Sequence, residues 1–181
     1  MNARAALRAA TAADHARVDA LFSRYDLSGK EGYRRFLLAQ AAAFLPAEQA
    51  LEEAGAGGLL EDWPQRRRSH LLIADLEALI APAPEPIPPP LFPDQASVMG
   101  GIYVLEGSRL GGAVLKRSIA EGAPRQFLAA DQGRGSWRIL LEKLDIFLYR
   151  SDLIEAAADA AKSVFQRFEA GGLRYLETNQ E

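Results

Sequence analysis

His15 and Asp19 stand four residues apart in a stretch that reads as helix, so their side chains sit one turn apart on the same face. An imidazole paired in this way has a definite chemistry. A carboxylate that accepts the N–H of one ring nitrogen fixes tautomer and ring orientation, and it makes the other nitrogen a better ligand for iron. The same pair also serves as a core histidine satisfied by a convenient acid. The second stretch is Gly100 to Lys116, GGIYVLEGSRLGGAVLK, apolar enough for a buried helix yet carrying glycines at 100, 101, 107, 111 and 112. Each glycine inside a helix costs roughly 1 kcal/mol relative to alanine, so the run needs a close approach to explain it. Gly107 and Gly111 stack on one face and leave a strip of bare backbone against which a flat object could lie. Small-xxx-small spacing also serves helix–helix contact, and on spacing alone that is the commoner use.

Composition removes several other chemistries. The 181 residues include no cysteine, which excludes disulfides, thiolate metal sites and cysteine nucleophiles. With only His15 and His70 present, a multi-histidine metal cluster is excluded and a serine-histidine-acid triad has few ways to form. The formal charge of -3 provides no global basic field for nucleic acid, and the one dense basic run, Arg66-Arg67-Arg68, reads as a solvated helix face. Charges interrupt the first residues too often for a signal-peptide core, and no stretch reaches the ~18 apolar residues of a membrane span. These features predict a cytoplasmic protein that binds neither membrane nor nucleic acid, with a single domain over residues 1–181.

The elements that must position the two stretches are helices, since β-branched residues are few and no period-two pattern is sustained. The first covers about 3–24, with Leu7, Thr11, His15, Val18 and Phe22 on one face, so His15 is expected to point inward. Ser28 and Glu31 form a capping-box pattern for a second helix, which Pro46 should kink before Gly55 ends it. After a glycine-rich loop at 55–60, Asp62 should cap a third long helix running to about Ile80, with Leu71, Leu72, Leu76 and Leu79 inward. Residues 81–93 hold seven prolines and favour an extended internal crossover rather than a domain boundary. Asp94 caps the glycine-bearing helix, expected to reach Gly122. A polar stretch at 125–135, a helix over about 136–149 and a last long helix capped by Ser151 or Asp152 and ending at Gly171-Gly172 complete an all-α fold.

A single histidine on one helix facing a bare glycine strip on another is the layout a planar metallocycle needs, and haem would fit, with one axial histidine and an open position for O2. Here the residues are similar to a known family. LRAATAADHARVD at 7–19, YVLEGSRLGGAVLK at 103–116 and RSHLLIADLEAL at 68–79 resemble, in order and separation, the bacterial biliverdin-producing haem oxygenases, a family of single-domain multihelical bundles with a kinked glycine-rich distal helix. The resemblance implies that His15 is the iron ligand, that Asp19 supports it, and that Gly107 and Gly111 contact the distal haem face. It places Ser108 where animal members have an acidic residue that organises distal water. Arg8 matches a basic residue on the propionate side, and Tyr103 lies near the family's distal-helix tyrosine. Arg138, with Arg134 and Lys143 as alternatives, matches a late-chain propionate partner. The implied reaction is oxidation of haem by O2 to biliverdin, CO and ferrous iron, with haem both cofactor and substrate. Electrons would come from a separate reductase or ferredoxin, since the chain has no G-x-G-x-x-G loop and no cysteines. The product would suit a phytochrome or iron acquisition. A non-catalytic haem carrier or sensor would share the His15 pocket.

Overall fold

In the computed structural model, which describes residues 2–131 and 133–176 of the expected 1–181 domain, helix α9 (Ser151–Leu176) lies against α1 (Ala3–Phe22), α2 (Lys30–Glu53) and α6 (Gln95–Leu115). Its buried face explains why three helices can share it: Ala157, Ala158, Ala160, Ala161, Gly171 and Gly172 offer almost no side chain. A Cβ on Gly171 would stand 2.6 Å from the Ala39 carbonyl oxygen, and one on Gly172 would stand 2.6 Å from Leu21 Cδ2. On Gly100 of α6 a Cβ would fall onto the Ala157 carbonyl. Gly171 and Gly172 therefore do not stop the last helix, as expected from sequence, but let it approach α1 and α2 while it continues to Leu176.

Shorter helices fill in around these four. They are α3 (Ala56–Leu59), α4 (Trp63–Arg66), α5 (Ser69–Ala78), α7 (Gln126–Ala129) and α8 (Ser136–Phe147), which closes over α1 and α6 with Leu140 and Leu144 fully buried. Helix α6 gives way to a 3-10 turn, Lys116–Ser118, short of the expected end at Gly122. The described residues contain no strand, and none of their helices is long and apolar enough to cross a membrane.

Pro46 sits inside α2, which runs uninterrupted from Lys30 to Glu53. Proline cannot donate to the carbonyl four residues back, and that carbonyl, Ala42 O, accepts instead from the Ile87 N–H at 2.7 Å. Ile87 belongs to the extended proline-rich segment, which crosses α2 and α9. Arg167 donates to Pro88 O at 3.1 Å, Arg174 to Glu85 O at 2.9 Å, and the Glu85 N–H to the Tyr175 hydroxyl at 3.0 Å.

Caps divide between those expected and those replaced. Asp94 and Ser97 form a reciprocal capping box at the start of α6. Ser28 does not cap α2; its N–H and hydroxyl both bond Asp26, and Gly29 takes the N-cap position. The expected third helix breaks at Arg67–Arg68 because the Glu48 carboxylate of α2 accepts the N–H groups of Arg68, at 2.7 Å, and Ser69, at 3.0 Å, starting α5 afresh. Asp62 caps neither piece with its side chain and instead accepts from Arg66 Nε at 2.7 Å. At α9 the first-turn Asp152 pairs with Arg150 at 2.6 Å.

Candidate functional site

Helix α1 buries Ala3, Leu7, Thr11, Leu21 and Phe22, but His15 is on the surface, with its side chain 62% exposed. Helical periodicity accounts for the departure from the expected inward stripe. Each four-residue step overshoots a full turn by about 40°, so His15 stands about 80° round the helix from Leu7. That rotation puts His15 on one arc with Arg4, Arg8 and Asp19. The His15 Nδ1 lies 3.1 Å from Asp19 Oδ2, and its ring meets Phe165 of α9 edge-on at 5.8 Å. A neutral imidazole whose Nδ1–H is given to Asp19 keeps the Nε2 lone pair for a metal.

Helix α6 presents Tyr103, Gly107 and Gly111 on one face. A Cβ on Gly111 would meet nothing within 4 Å, and one on Gly107 would reach only Trp137 Cη2, at 4.0 Å. The other three glycines differ. Gly100 touches the α9 backbone, a Cβ on Gly101 would lie 2.6 Å from Phe92 and 2.8 Å from Leu51, and one on Gly112 would lie 3.3 Å from Leu128. Helix packing thus explains Gly100, Gly101 and Gly112, and leaves Gly107 and Gly111 unexplained by any protein neighbour.

Tyr103 links the two faces. Its ring lies 6.2 Å from Trp137 of α8, and the Arg4 guanidinium of α1 stands 6.0 Å from that same indole. Burial raises the Tyr103 pKa, while the charges of Arg4 and Arg8 pull it back. Trp137 thus gathers Arg4, Tyr103 and Gly107, and the arc of α1 that carries His15 is the one from which the charges of Arg4 and Arg8 act on Tyr103. Leu110 and Val114 extend that face as exposed apolar surface, 52% and 65% accessible.

Ser108 lies off this face, donating to its own Leu105 carbonyl at 2.6 Å and accepting from Arg68 at 2.8 Å. Arg138 is 76% exposed and 3.5 Å from Glu142, outside the Arg4–Arg8 group; Arg134 and His70 are exposed, and Lys143 is half-buried.

The arginine run overturns its sequence reading. Arg66 and Arg68 are 4% and 2% exposed, not solvated. Arg66 donates to Asp62, to buried Glu106 at 2.9 Å and to Ser136 O, while Arg109 reaches the other Glu106 oxygen at 3.2 Å. Burial and then the Arg109 charge push the Arg68 guanidinium down to about 9, with Glu106 and Glu48 opposing. Asp75 is a further buried group that periodicity did not single out. Its two oxygens accept the N–H groups of Gln126 and Phe127 at 3.0 and 2.9 Å and so start α7.

One imidazole nitrogen able to bind a metal, a helix face without side chains, two guanidinium groups and the Trp137 and Phe165 rings suit a planar, anionic metallocycle. No family model matches the chain. A heme oxygenase of Xanthomonas campestris pv. campestris (strain 8004) is 34% identical over 105 residues, 52% of this chain and 63% of that protein, so the match spans under two thirds of the relative. The NO- and CO-bound heme oxygenase of Neisseria meningitidis superposes with a TM-score of 0.74 over 97% of this chain and 92% of its own, at 20% identity. At that identity the likeness shows the fold: this chain has the fold of a bacterial haem oxygenase.

Proposed function

We propose that this chain is a haem oxygenase that uses O2 and external electrons to cleave haem to biliverdin, CO and ferrous iron, with haem as both cofactor and substrate. The observation that carries the reading is the pair of glycines, Gly107 and Gly111, that no protein atom crowds, in a helix whose other glycines are each packed against a neighbour. Two uncompensated helical glycines would forfeit about 2 kcal/mol, which selects for a ligand that needs the bare backbone. The haem oxygenase relative and the shared fold point the same way.

The bound group would supply an iron centre for O2 chemistry. His15 would hold that iron through Nε2, and Asp19 would keep the proton on Nδ1 and the ring in place. Arg4 and Arg8 would meet the anionic edge. Gly107 and Gly111 would let the α6 backbone lie close to the opposite face, leaving room there for a small diatomic and excluding bulkier ones. Electrons would arrive from a separate reductase or ferredoxin, because a chain without cysteine cannot hold a thiolate-ligated iron–sulfur cluster.

Titration with haem should give a Soret band that His15→Ala alters, and ascorbate in air should then bleach it with release of CO. A Soret band indifferent to His15 would refute the haem site. A stable Soret band under ascorbate and O2 would instead assign the chain as a carrier or sensor.

A further inference from the structure

The run Arg66-Arg67-Arg68 takes no part in the chemistry above, yet two of its three side chains are buried directly behind the glycine strip. Arg68 enters from the break between α4 and α5, with its guanidinium carbon 4.9 Å from the Phe44 ring and 5.1 Å from the Phe127 ring. Its Nη2 donates both to the Leu105 carbonyl and to the Ser108 hydroxyl oxygen, the latter at 2.8 Å. The same carbonyl accepts the Ser108 hydroxyl at 2.6 Å. A carbonyl has two lone pairs, and in an α-helix this one also faces the N–H of Arg109, so the added donors compete with the ladder at a single turn.

Gly107 lies inside that turn, about 200° round the helix from Leu105. On its outer face neither Gly107 nor Gly111 has a side chain to wedge the backbone, and Gly111 has no neighbour within Cβ reach. On the inner face Arg68 grips Leu105 and Ser108 while Arg66 and Arg109 grip Glu106. The contacts that Arg68 and Arg66 make with Leu105, Ser108 and Glu106 therefore hold this turn from the side away from Gly107 and Gly111.

We propose that Arg68 is a positioning residue: by holding the Leu105 carbonyl and the Ser108 hydroxyl it sets how far the Gly107 backbone stands toward the haem face, and through it the hold on a ligand at the iron. The consequence for haem rests on the function proposed above, whereas the grip on the helix does not. Because Ser108 points to Arg68, its part in the site is to complete this grip.

Arg68→Lys keeps the charge but loses the planar fork, and Ser108→Ala removes one of the two acceptors while leaving the guanidinium in place. Amide hydrogen exchange on the haem-free protein reads the helix, and CO dissociation from the ferrous haem complex reads the ligand site. In Arg68→Lys, exchange over residues 107–112 should rise about tenfold relative to residues 98–104 of the same helix, with Ser108→Ala smaller in the same direction. CO should leave severalfold faster from both variants while the His15-dependent Soret band persists. Should Arg68→Lys fail to fold, Ser108→Ala alone carries both readouts. Exchange that rises evenly along α6, or CO dissociation unchanged in every folded variant, would reduce Arg68 to a stabilising core residue and overturn the proposal. A wild type without a His15-dependent Soret band would overturn the haem reading, and the positioning of a haem ligand with it. A normal wild-type spectrum with even exchange overturns the positioning role alone.

Discussion

Gly111 and Gly100 occupy one helix, and replacing each by alanine should move stability in opposite directions. Neither is among the positive-φ glycines, which are Gly55, Gly122 and Gly135, so alanine meets no backbone strain at either. At Gly111 the new Cβ has nothing within 4 Å. Gly111→Ala then acts through the unfolded chain and should stabilise the haem-free protein by about 0.4–1 kcal/mol. For a chain of this size that is a melting temperature higher by about 1–4 °C. At Gly100 the Cβ falls onto the Ala157 carbonyl of α9, two buried backbones must part, and overpacking should cost about 1–3 kcal/mol or more. Gly111→Val separates ligand from packing. Valine still has a better helix propensity than glycine by a few tenths of a kcal/mol, so the haem-free protein should melt within a degree or two of the wild type. Its branched carbons would lie on the face proposed for the porphyrin, and haem affinity should fall by about tenfold or more, equivalent to at least ~1.4 kcal/mol. Calorimetry on the haem-free variants and Soret titration on the same preparations decide the matter. Unaltered haem affinity and turnover in Gly111→Val would refute the assignment of this face to haem. A melting temperature in Gly111→Ala depressed as far as in Gly100→Ala would show that protein, not ligand, covers Gly111.

His15→Ala should remove the axial ligand and most turnover while leaving stability within about 0.5 kcal/mol, because the side chain is 62% exposed; denaturant unfolding checks the second half. Asp19→Asn should retain haem but weaken the iron–histidine bond, read as a lower Fe–His stretching frequency by resonance Raman on the ferrous complex; an unchanged frequency would make Asp19 a mere surface acid. Asp75 titrates with a defined sign: burial raises its pKa above 3.8, against the two N–H bonds from Phe127 and Gln126. The native state then binds more protons than the unfolded one between 3.8 and the raised value, so the stability of the wild type minus that of Asp75→Asn should fall as pH rises through this window and be fully present below it. A difference that grew with pH from about 3 to 7 would contradict that order.

The helical class, the His15–Asp19 contact and the cap of α6 were legible in the sequence because they rest on local rules: the pair needs only four-residue spacing, and the Asp94–Ser97 cap needs only its own turn. What failed needed partners distant in the chain. The two successive four-residue steps from Leu7 through Thr11 to His15 accumulate about 80° of rotation, which carries the imidazole out of the core. The exposed position is compatible with the proposed ligand role, which would require an imidazole free of its own helix's packing face. The helix does continue past Pro46 as expected, but the group that satisfies the orphaned Ala42 O is Ile87, from a segment 41 residues beyond the proline that no local rule could identify. Likewise the third helix broke because Glu48, on another element, supplied the cap that local sequence did not.

The arginines and the glycines show the same limit from opposite sides. A triplet of arginines on a helical pattern is usually solvated, and only the placement of Glu106 against Arg66 and of the Leu105 carbonyl against Arg68 turns two of them into buried fasteners. Breaking one such buried pair leaves an uncompensated charge and costs about 3–5 kcal/mol, far more than an exposed pair is worth. Five glycines in one helix look alike in sequence, yet three are spent on neighbours within the fold and two are not. Folding alone would have replaced Gly107 and Gly111 with alanine, at a gain in stability. The ligand face proposed for Gly107 and Gly111 would be soft on its own, and its rigidity would then come from the other side of the helix. The buried charges lie on that side.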